Sequence, residues 1–353
     1  MTTMSQDDRK FANYRRHGGQ AARGVHPRLT TVCAGLGLAA AVLLGLSGCQ
    51  TVPLAPTPAP APQMAGQPEP GQRVFASDEE AVKALVQAAA ETNNAEVTLI
   101  LGPAARQELL SGDPVQDNRG FEQFAKHAQE QWRLEKLSDK KSIVYVGPRD
   151  WPFPIPIVQA QDGKWFFDTA AGKTEILARR IGRDELETIK VCRAFVQAQR
   201  EYASKDRDGS GVLKYAQHYR STPGKHDGLY WEAAPGEEES PAGPIVAAAV
   251  LKGYPTEKST TGPRPYQGYF FHILTRQGAA ALGGRYDYVV NGNMIAGFAL
   301  VAYPAKYGTS GVMTFMISHQ GVLYERNLGP RTAELVQSMT EYNPDGTWRP
   351  VKD

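Results

Sequence analysis

The sequence predicts an α+β fold in which helices followed by antiparallel strands occur twice along the chain. Two patterns predict it. Apolar residues recur at helical spacing over 81–88 and again over 186–202, and short β-rich runs bounded by turn residues follow each of them. Ser77 with Glu80 three residues on forms a capping box that opens the first helix. That helix sets Ala81, Leu85 and Ala88 on one face, with Val82 and Val86 beside them, and Asn93-Asn94 ends it. Further helices are expected over Ala95–Leu101 and Phe121–Leu134. Ser142–Val146 reads as a strand stopped by Gly147-Pro148, and Ile155–Ala160 with Lys164–Asp168 reads as a hairpin across Asp162-Gly163. These elements delimit a first α+β domain, 74–180.

Asp184 and Glu187 give a second capping signal, for a helix running to Ala203. Leu186, Ile189, Cys192 and Val196 form one stripe of that helix, and Val191, Phe195, Ala198 and Tyr202 the neighbouring one. So wide an apolar face demands burial against a sheet. Residues 205–267 are rich in Gly, Pro and charge and read as loops. Strands return at 268–274, 286–290, 294–303, 312–317 and 322–325, the last two joined by a turn at His319-Gln320-Gly321. A short helix follows over 331–339. The second domain, 181–353, is therefore a long helix followed by an antiparallel meander.

The N-terminus has a different character. Residues 1–30 are polar and arginine-bearing, residues 31–48 are small and apolar, and Leu46-Ser47-Gly48-Cys49 closes the run. This order matches a secretory signal peptide ending in a lipobox, with Cys49 as the lipidated residue of the mature chain. Lipidation would anchor the chain to a membrane, and several acyl chains suffice for firm anchoring. Gln50, where an Asp typically favours inner-membrane retention, points to the outer membrane facing the periplasm. Residues 49–73, with proline at almost every second position from Pro53 to Pro62, read as an extended tether.

Removing 48 of the 353 residues leaves 305, and it also changes the charge. Six basic residues against two acidic ones give 1–48 a balance of +4, so the remainder carries −2 of the total of +2. Nothing in that balance argues for a nucleic-acid partner. Of the three cysteines only Cys192 remains in the body, so no intrachain disulfide is available, and its place in an apolar stripe marks it as a core residue.

Candidate sites are few. Asp206-Arg207-Asp208-Gly209-Ser210-Gly211 places oxygens at the first, third and fifth positions and glycine at the sixth, the start of a Ca2+ loop. Position twelve is Gln217 in place of the bidentate Glu, and Lys214 stands at position nine. His226-Asp227 could supply a base or a metal ligand, or it could staple its loop by hydrogen bonds. Trp151-Pro152-Phe153-Pro154 reads as packing at a sheet edge or as an exposed docking edge. No Walker, nucleophile-elbow, His-Glu-x-x-His or dinucleotide motif is present.

Three stretches carry a family resemblance: Asp150-Trp151-Pro152-Phe153-Pro154-Ile155-Pro156, Arg180-Ile181-Gly182-Arg183-Asp184-Glu185-Leu186, and Ser221–Trp231, which reads STPGKHDGLYW. They resemble the exported bacterial proteins of domain-of-unknown-function family 2950, over about Phe75 to Val351. That resemblance implies one recurring unit and no particular activity. The element order of the first half is similar to the cone-shaped nuclear-transport-factor-2-like fold. The second half, with Tyr307-Gly308-Thr309-Ser310-Gly311 and a last hairpin at Gly321-Val322-Leu323-Tyr324, is similar to the globular part of type IV pilins and pseudopilins. An assembly helix at the mature N-terminus, as pilins have, is lacking, because a whole domain precedes the long helix. The expected function is that of a lipid-anchored envelope protein acting as a non-catalytic interaction or assembly module with an envelope protein partner. The alternatives are a periplasmic small-ligand binder with a cavity lined by Trp165 and Phe167, and a metal-assisted hydrolase using Asp206, Asp208 and His226.

Overall fold

The computed structural model of the chain describes residues 66–103, 110–252, 254 and 264–352. The expected signal segment 1–48, Cys49 and most of the expected tether 49–73 lie outside the described residues. The architecture is α+β, with two hydrophobic cores sharing one long helix.

The folded body takes in residues 66–73. Gln72 is buried, and its amide donates to the carbonyls of Ile100 at 3.0 Å and Phe167 at 2.9 Å. The Gly66 N–H reaches Asp168 at 3.2 Å. A buried side-chain amide needs such partners, so residues 66–73, read from the sequence as the end of a tether, are fixed to the body.

The first core begins with α1 (Asp78–Ala90). Ser77 accepts the Glu80 N–H at its N-terminus, while the Glu80 carboxylate accepts the Ala76 N–H. Its buried face holds Ala81, Val82, Leu85 and Ala88. Asn93 caps the next helix, α2 (Asn94–Leu101). The third helix, α3, spans Pro114–Glu130, seven residues ahead of its expected start. Asp113 caps it and Pro114 occupies the first turn, where a missing N–H costs nothing. Past Glu130 the chain extends as β1 (Trp132–Ser138), where helix was expected to continue to Leu134. β2 (Lys141–Val146) pairs with β1, and β3 (Trp151–Pro152) pairs with the end of β2. β4 (Ile157–Gln159) and β5 (Trp165–Phe167) form the expected hairpin, whose Gly163 takes φ +82° in the turn. The strand order is β1-β2-β4-β5 with β3 beside β2, all antiparallel. Leu85, Ile100, Val144, Ile157 and Phe167 form the middle of this core.

A single helix, α4 (Thr169–Tyr202), joins the two cores. The expected helix began at Asp184; the real one begins fifteen residues earlier, where Asp168 accepts the Ala171 N–H at 3.0 Å. Asp184 therefore caps nothing and lies buried in mid-helix. Position 180, the expected boundary between the domains, falls inside this continuous helix. Its C-terminal half sends Cys192, Phe195, Val196 and Tyr202 into the second core. The Cys192 thiol is wholly buried, and desolvation pushes its pKa up to about 12, so it is an inert core side chain.

The second core is α4 laid on an antiparallel meander. Its strands are β8 (Tyr269–Leu274), β13 (Ala299–Pro304), β14 (Thr314–Ser318), β15 (Leu323–Arg326) and β16 (Arg349–Pro350), adjacent in that order. Two short pairs, β9 (Arg276–Gln277) with β10 (Tyr286–Asp287) and β11 (Val289–Val290) with β12 (Asn293–Met294), lie between β8 and β13 in sequence. The stretch 205–267, expected as loop, holds a parallel pair, β6 (His218–Arg220) with β7 (Gly228–Tyr230), and a helix, α5 (Gly243–Leu251). A last helix, α6 (Thr332–Gln337), precedes β16. Among the described residues no helix is long and apolar enough to cross a membrane. Pro62–Asp353 forms one compact unit, and both cores and every sheet lie within it.

Candidate functional site

A groove opens on the first half of the body, walled by α3, the first half of α4 and the 151–155 segment. Gln116 meets Asp184, and Asp117 meets Arg180; Phe124 and Ile176 line the groove further along. The two helices are thus antiparallel. Each presents a face at helical spacing: Gln116, Asp117, Gly120 and Phe124 on α3, and Ile176, Arg179, Arg180 and Arg183 on α4. Both faces change from apolar to charged in the same direction. The apolar end is completed by Leu85, Leu101, Phe153 and Ile155, and the groove encloses about 220 Å3.

The walls are fixed by named contacts. Phe153 packs on Phe124 with ring centroids 4.8 Å apart and edge-on to Phe167 at 6.0 Å. Trp151 is 43% exposed at the mouth, and the Arg179 guanidinium lies 5.0 Å from the centre of its ring. Arg179 also donates to the Pro152 carbonyl at 2.8 Å and to Glu175 at 2.9 Å, which ties β3 to α4. The Trp-Pro-Phe-Pro run is therefore both things the sequence allowed: Phe153 is packing and Trp151 is an exposed edge.

The charged end holds a buried polar network. Asp113 Oδ1 accepts the Gln116 N–H at the start of α3, while Asp113 Oδ2 accepts the Tyr254 hydroxyl at 2.5 Å and the Gly268 N–H at 3.1 Å. One capping side chain thus joins the first half of the body to the second. Asp117 accepts the Ser111 N–H and stands 3.6 Å from Arg180, and burial raises its pKa despite both neighbours. Asp184 Oδ1 accepts from Gln116 at 2.6 Å and from Arg183 at 3.1 Å. Asp184 Oδ2 is buried with no hydrogen-bond partner among the described residues, and so is Gln116 Oε1. Desolvation lifts the Asp184 carboxyl from 3.8 to about 7. Gly268, with φ +75°, passes so close that a Cβ there would meet Asp184 Oδ2 at 2.8 Å.

Gly120 stands out among the lining residues. Glycine inside a helix costs about 1 kcal/mol relative to alanine, and such a residue usually has a packing reason. Gly172 has one, because a Cβ there would lie 2.8 Å from the Pro154 carbonyl oxygen. A Cβ on Gly120 would meet no described atom within 4 Å. What its missing side chain does is leave the groove open.

The other predicted residues lie elsewhere, at the C-terminal end of α4. Asp206 accepts the backbone N–H groups of Ser210 and Gly211, and Asp208 accepts the Ser210 N–H. Lys214 takes the remaining Asp208 oxygen at 2.6 Å and also donates to Asn293. Its ammonium thus already supplies the Asp208 carboxylate with a cation. Asp227 accepts the N–H and the hydroxyl of Thr222, a loop staple, and the His226 ring stacks on Trp231 at 4.2 Å. Among the described residues no group of three or more His, Cys, Asp or Glu is placed to hold a metal ion. Trp165 and Phe167, expected around a cavity, are packed into the first core, and the groove that does open is lined by other residues.

A family model described as "Protein of unknown function (DUF2950)" matches residues 72–351. The chain belongs to that family. No curated protein matches it, and no solved structure does. Of the three stretches that carry the family resemblance, two supply groove walls. Trp151, Phe153, Pro154 and Ile155 come from the first, and Arg180 and Arg183 from the second. Sequence reading missed Gln116, Asp117, Gly120 and Arg179. The spacing 176-179-180-183 was a usable signal once α4 was known to start at Thr169.

Proposed function

We propose that this DUF2950 chain is a lipid-anchored envelope protein whose body is a non-catalytic binding module working through the α3–α4 groove. The observation that carries the binding role is Gly120, a helix-interior glycine with no described atom within 4 Å of its Cβ position, lining an apolar groove mouthed by Trp151 and arginines. Exposed tryptophan and arginine around an apolar depression form the composition that concentrates binding energy. The candidates for a catalytic role are engaged otherwise: Asp206, Asp208 and Asp227 are held by local backbone groups or by Lys214. Anchoring rests on Cys49 and the apolar run before it, and the outer-membrane destination on Gln50.

Each half of the reading has its own test. Cells fed a radiolabelled fatty acid are expected to label the chain in the envelope fraction, and Cys49→Ala to lose the label and the membrane association. Continued labelling of that variant would remove Cys49 as the anchor. For the groove, a neutral apolar fluorophore such as N-phenyl-1-naphthylamine is expected to brighten at one site per Pro62–Asp353 body. Gly120→Phe, which places a ring in the open space, is expected to abolish the signal while the protein stays folded by circular dichroism. Equal brightening in that variant would mean that the groove is not the site.

A further inference from the structure

We infer that the groove takes a single-headed anionic amphiphile, a medium-length acyl chain ending in one carboxylate, with its head at Arg183 and Arg180 and its tail toward Phe124, Phe153 and Ile176. This rests on the binding reading above and gives it a ligand class.

Three observations define the class. The first is polarity along the groove. Charge is gathered at the end held by Asp117, Arg180 and Arg183, where Leu110 adds an apolar side chain, and apolar side chains fill the end held by Leu85, Phe124, Phe153 and Ile176. A ligand polar at one end and apolar along its body matches that gradient; a uniformly apolar or uniformly charged one does not. The second is sign. The described lining residues bring three guanidinium groups, from Arg179, Arg180 and Arg183, against the one carboxylate of Asp117, while Glu175 and Asp184, which are outside the lining, pair with Arg179 and Arg183. Arg179 is turned away to Glu175 and the Pro152 carbonyl, and Arg180 faces Asp117. Arg183 is half exposed and bonds Asp184 through Nε, so its planar fork keeps terminal N–H donors to offer a carboxylate. An ammonium head would meet the wrong sign. The third is size. The groove's 220 Å3 is larger than the roughly 150 Å3 cavity that holds benzene, yet below the several hundred Å3 of drug-sized pockets. From Asp117 to Phe124 is seven residues of helix, about 10 Å. That length and volume suit a chain of around ten carbons. A partner's helix would add several further anchors beyond this one depression, and the peptide arm of the test below separates it.

Decanoate, decanol and decyltrimethylammonium, each below its aggregation concentration, separate the possibilities when titrated calorimetrically into the Pro62–Asp353 body. Decanoate is expected to bind one per body, with the other two weaker by about tenfold or more, the order of one charge-assisted hydrogen bond. Gly120→Phe should abolish decanoate binding. Arg183→Gln should weaken it about tenfold and leave decanol unchanged. Decanol binding as tightly as decanoate, both blocked by Gly120→Phe, would overturn the carboxylate assignment and keep the groove as a binding site. Tightest binding of the ammonium would do the same. Binding by none of the three while N-phenyl-1-naphthylamine still binds in a Gly120-dependent way would overturn the acyl assignment alone. If neither the amphiphiles nor the fluorophore binds, the groove reading falls as well. An acidic peptide ending in an apolar residue that binds where decanoate does not would hand the groove to a protein partner and refute the inference.

Discussion

Gly172→Ala is expected to destabilise the body by about 1–2 kcal/mol. The new methyl would lie 2.8 Å from the Pro154 carbonyl oxygen, 2.9 Å from the Ile155 Cα and 3.0 Å from an Ile155 side-chain carbon. Two of the three are backbone atoms, which cannot swing aside, so α4 must lift off the 154–155 segment. Overpacking of this kind costs about 1–3 kcal/mol before the apolar contacts around Ile155 are counted. Alanine also gains about 1 kcal/mol in helix propensity, which offsets part of the loss. Gly120→Ala supplies the control, since it makes the same exchange in a helix with no described atom within 4 Å of the new carbon. It should stabilise by about 0.5–1 kcal/mol. Urea unfolding of the three proteins compares them directly. If the two alanine variants shift in the same direction, the seating of α4 on Pro154-Ile155 is not what holds Gly172 in place.

That contrast also shows what the sequence made legible. The capping box at Ser77, the Asp162-Gly163 hairpin, the apolar stripe around Cys192 and the final meander are local patterns, and local physics places each of them in the structure. The start of α4 was hidden because its first half is not apolar enough to show a stripe. Thr169 to Arg183 carries two glycines, four basic residues and a glutamate, and the Asp184–Glu187 spacing imitates a cap. Asp168 closes the true N-terminus by a local bond to the Ala171 N–H that no apolar stripe marked, and tertiary contact holds Asp184 across the molecule through Gln116. The groove was illegible for the same reason. Its polar end is assembled from residues 68 positions apart on two helices, and no local spacing announces a pair of that kind. The three family-like stretches pointed to the right region, but only the fold brings two of them to one wall.

Asp184→Asn is expected to remove a pH dependence of stability that the parent body carries between about pH 4 and pH 7. Asp184 is fully buried, and the groups around it are Arg183 and Arg180 on its own helix, Gln116, Asp117 and Asp113 from α3 and its cap, and Tyr254 and Gly268 from the second half. Desolvation outweighs the two arginines and lifts the carboxyl from 3.8 to about 7. Below pH 4 the folded and unfolded chains both hold the proton. As pH rises toward 7 the unfolded chain releases it while the folded one retains it, so this residue's contribution to stability falls and then levels off above pH 7. Forcing a carboxyl shifted that far to ionise costs on the order of 4 kcal/mol, reduced to the extent that Arg183 follows it. Asparagine cannot ionise, keeps an oxygen for Gln116 and Arg183, and replaces the unpartnered acceptor with a donor. The variant should therefore match the parent near pH 4 and exceed it by about 2–4 kcal/mol at pH 8, read from urea unfolding at both pH values. Because every other carboxylate is common to the two proteins, their difference isolates this one. Parallel curves for parent and variant would mean that Asp184 is ionised in the folded protein at pH 7, with Arg183 and Arg180 neutralising it.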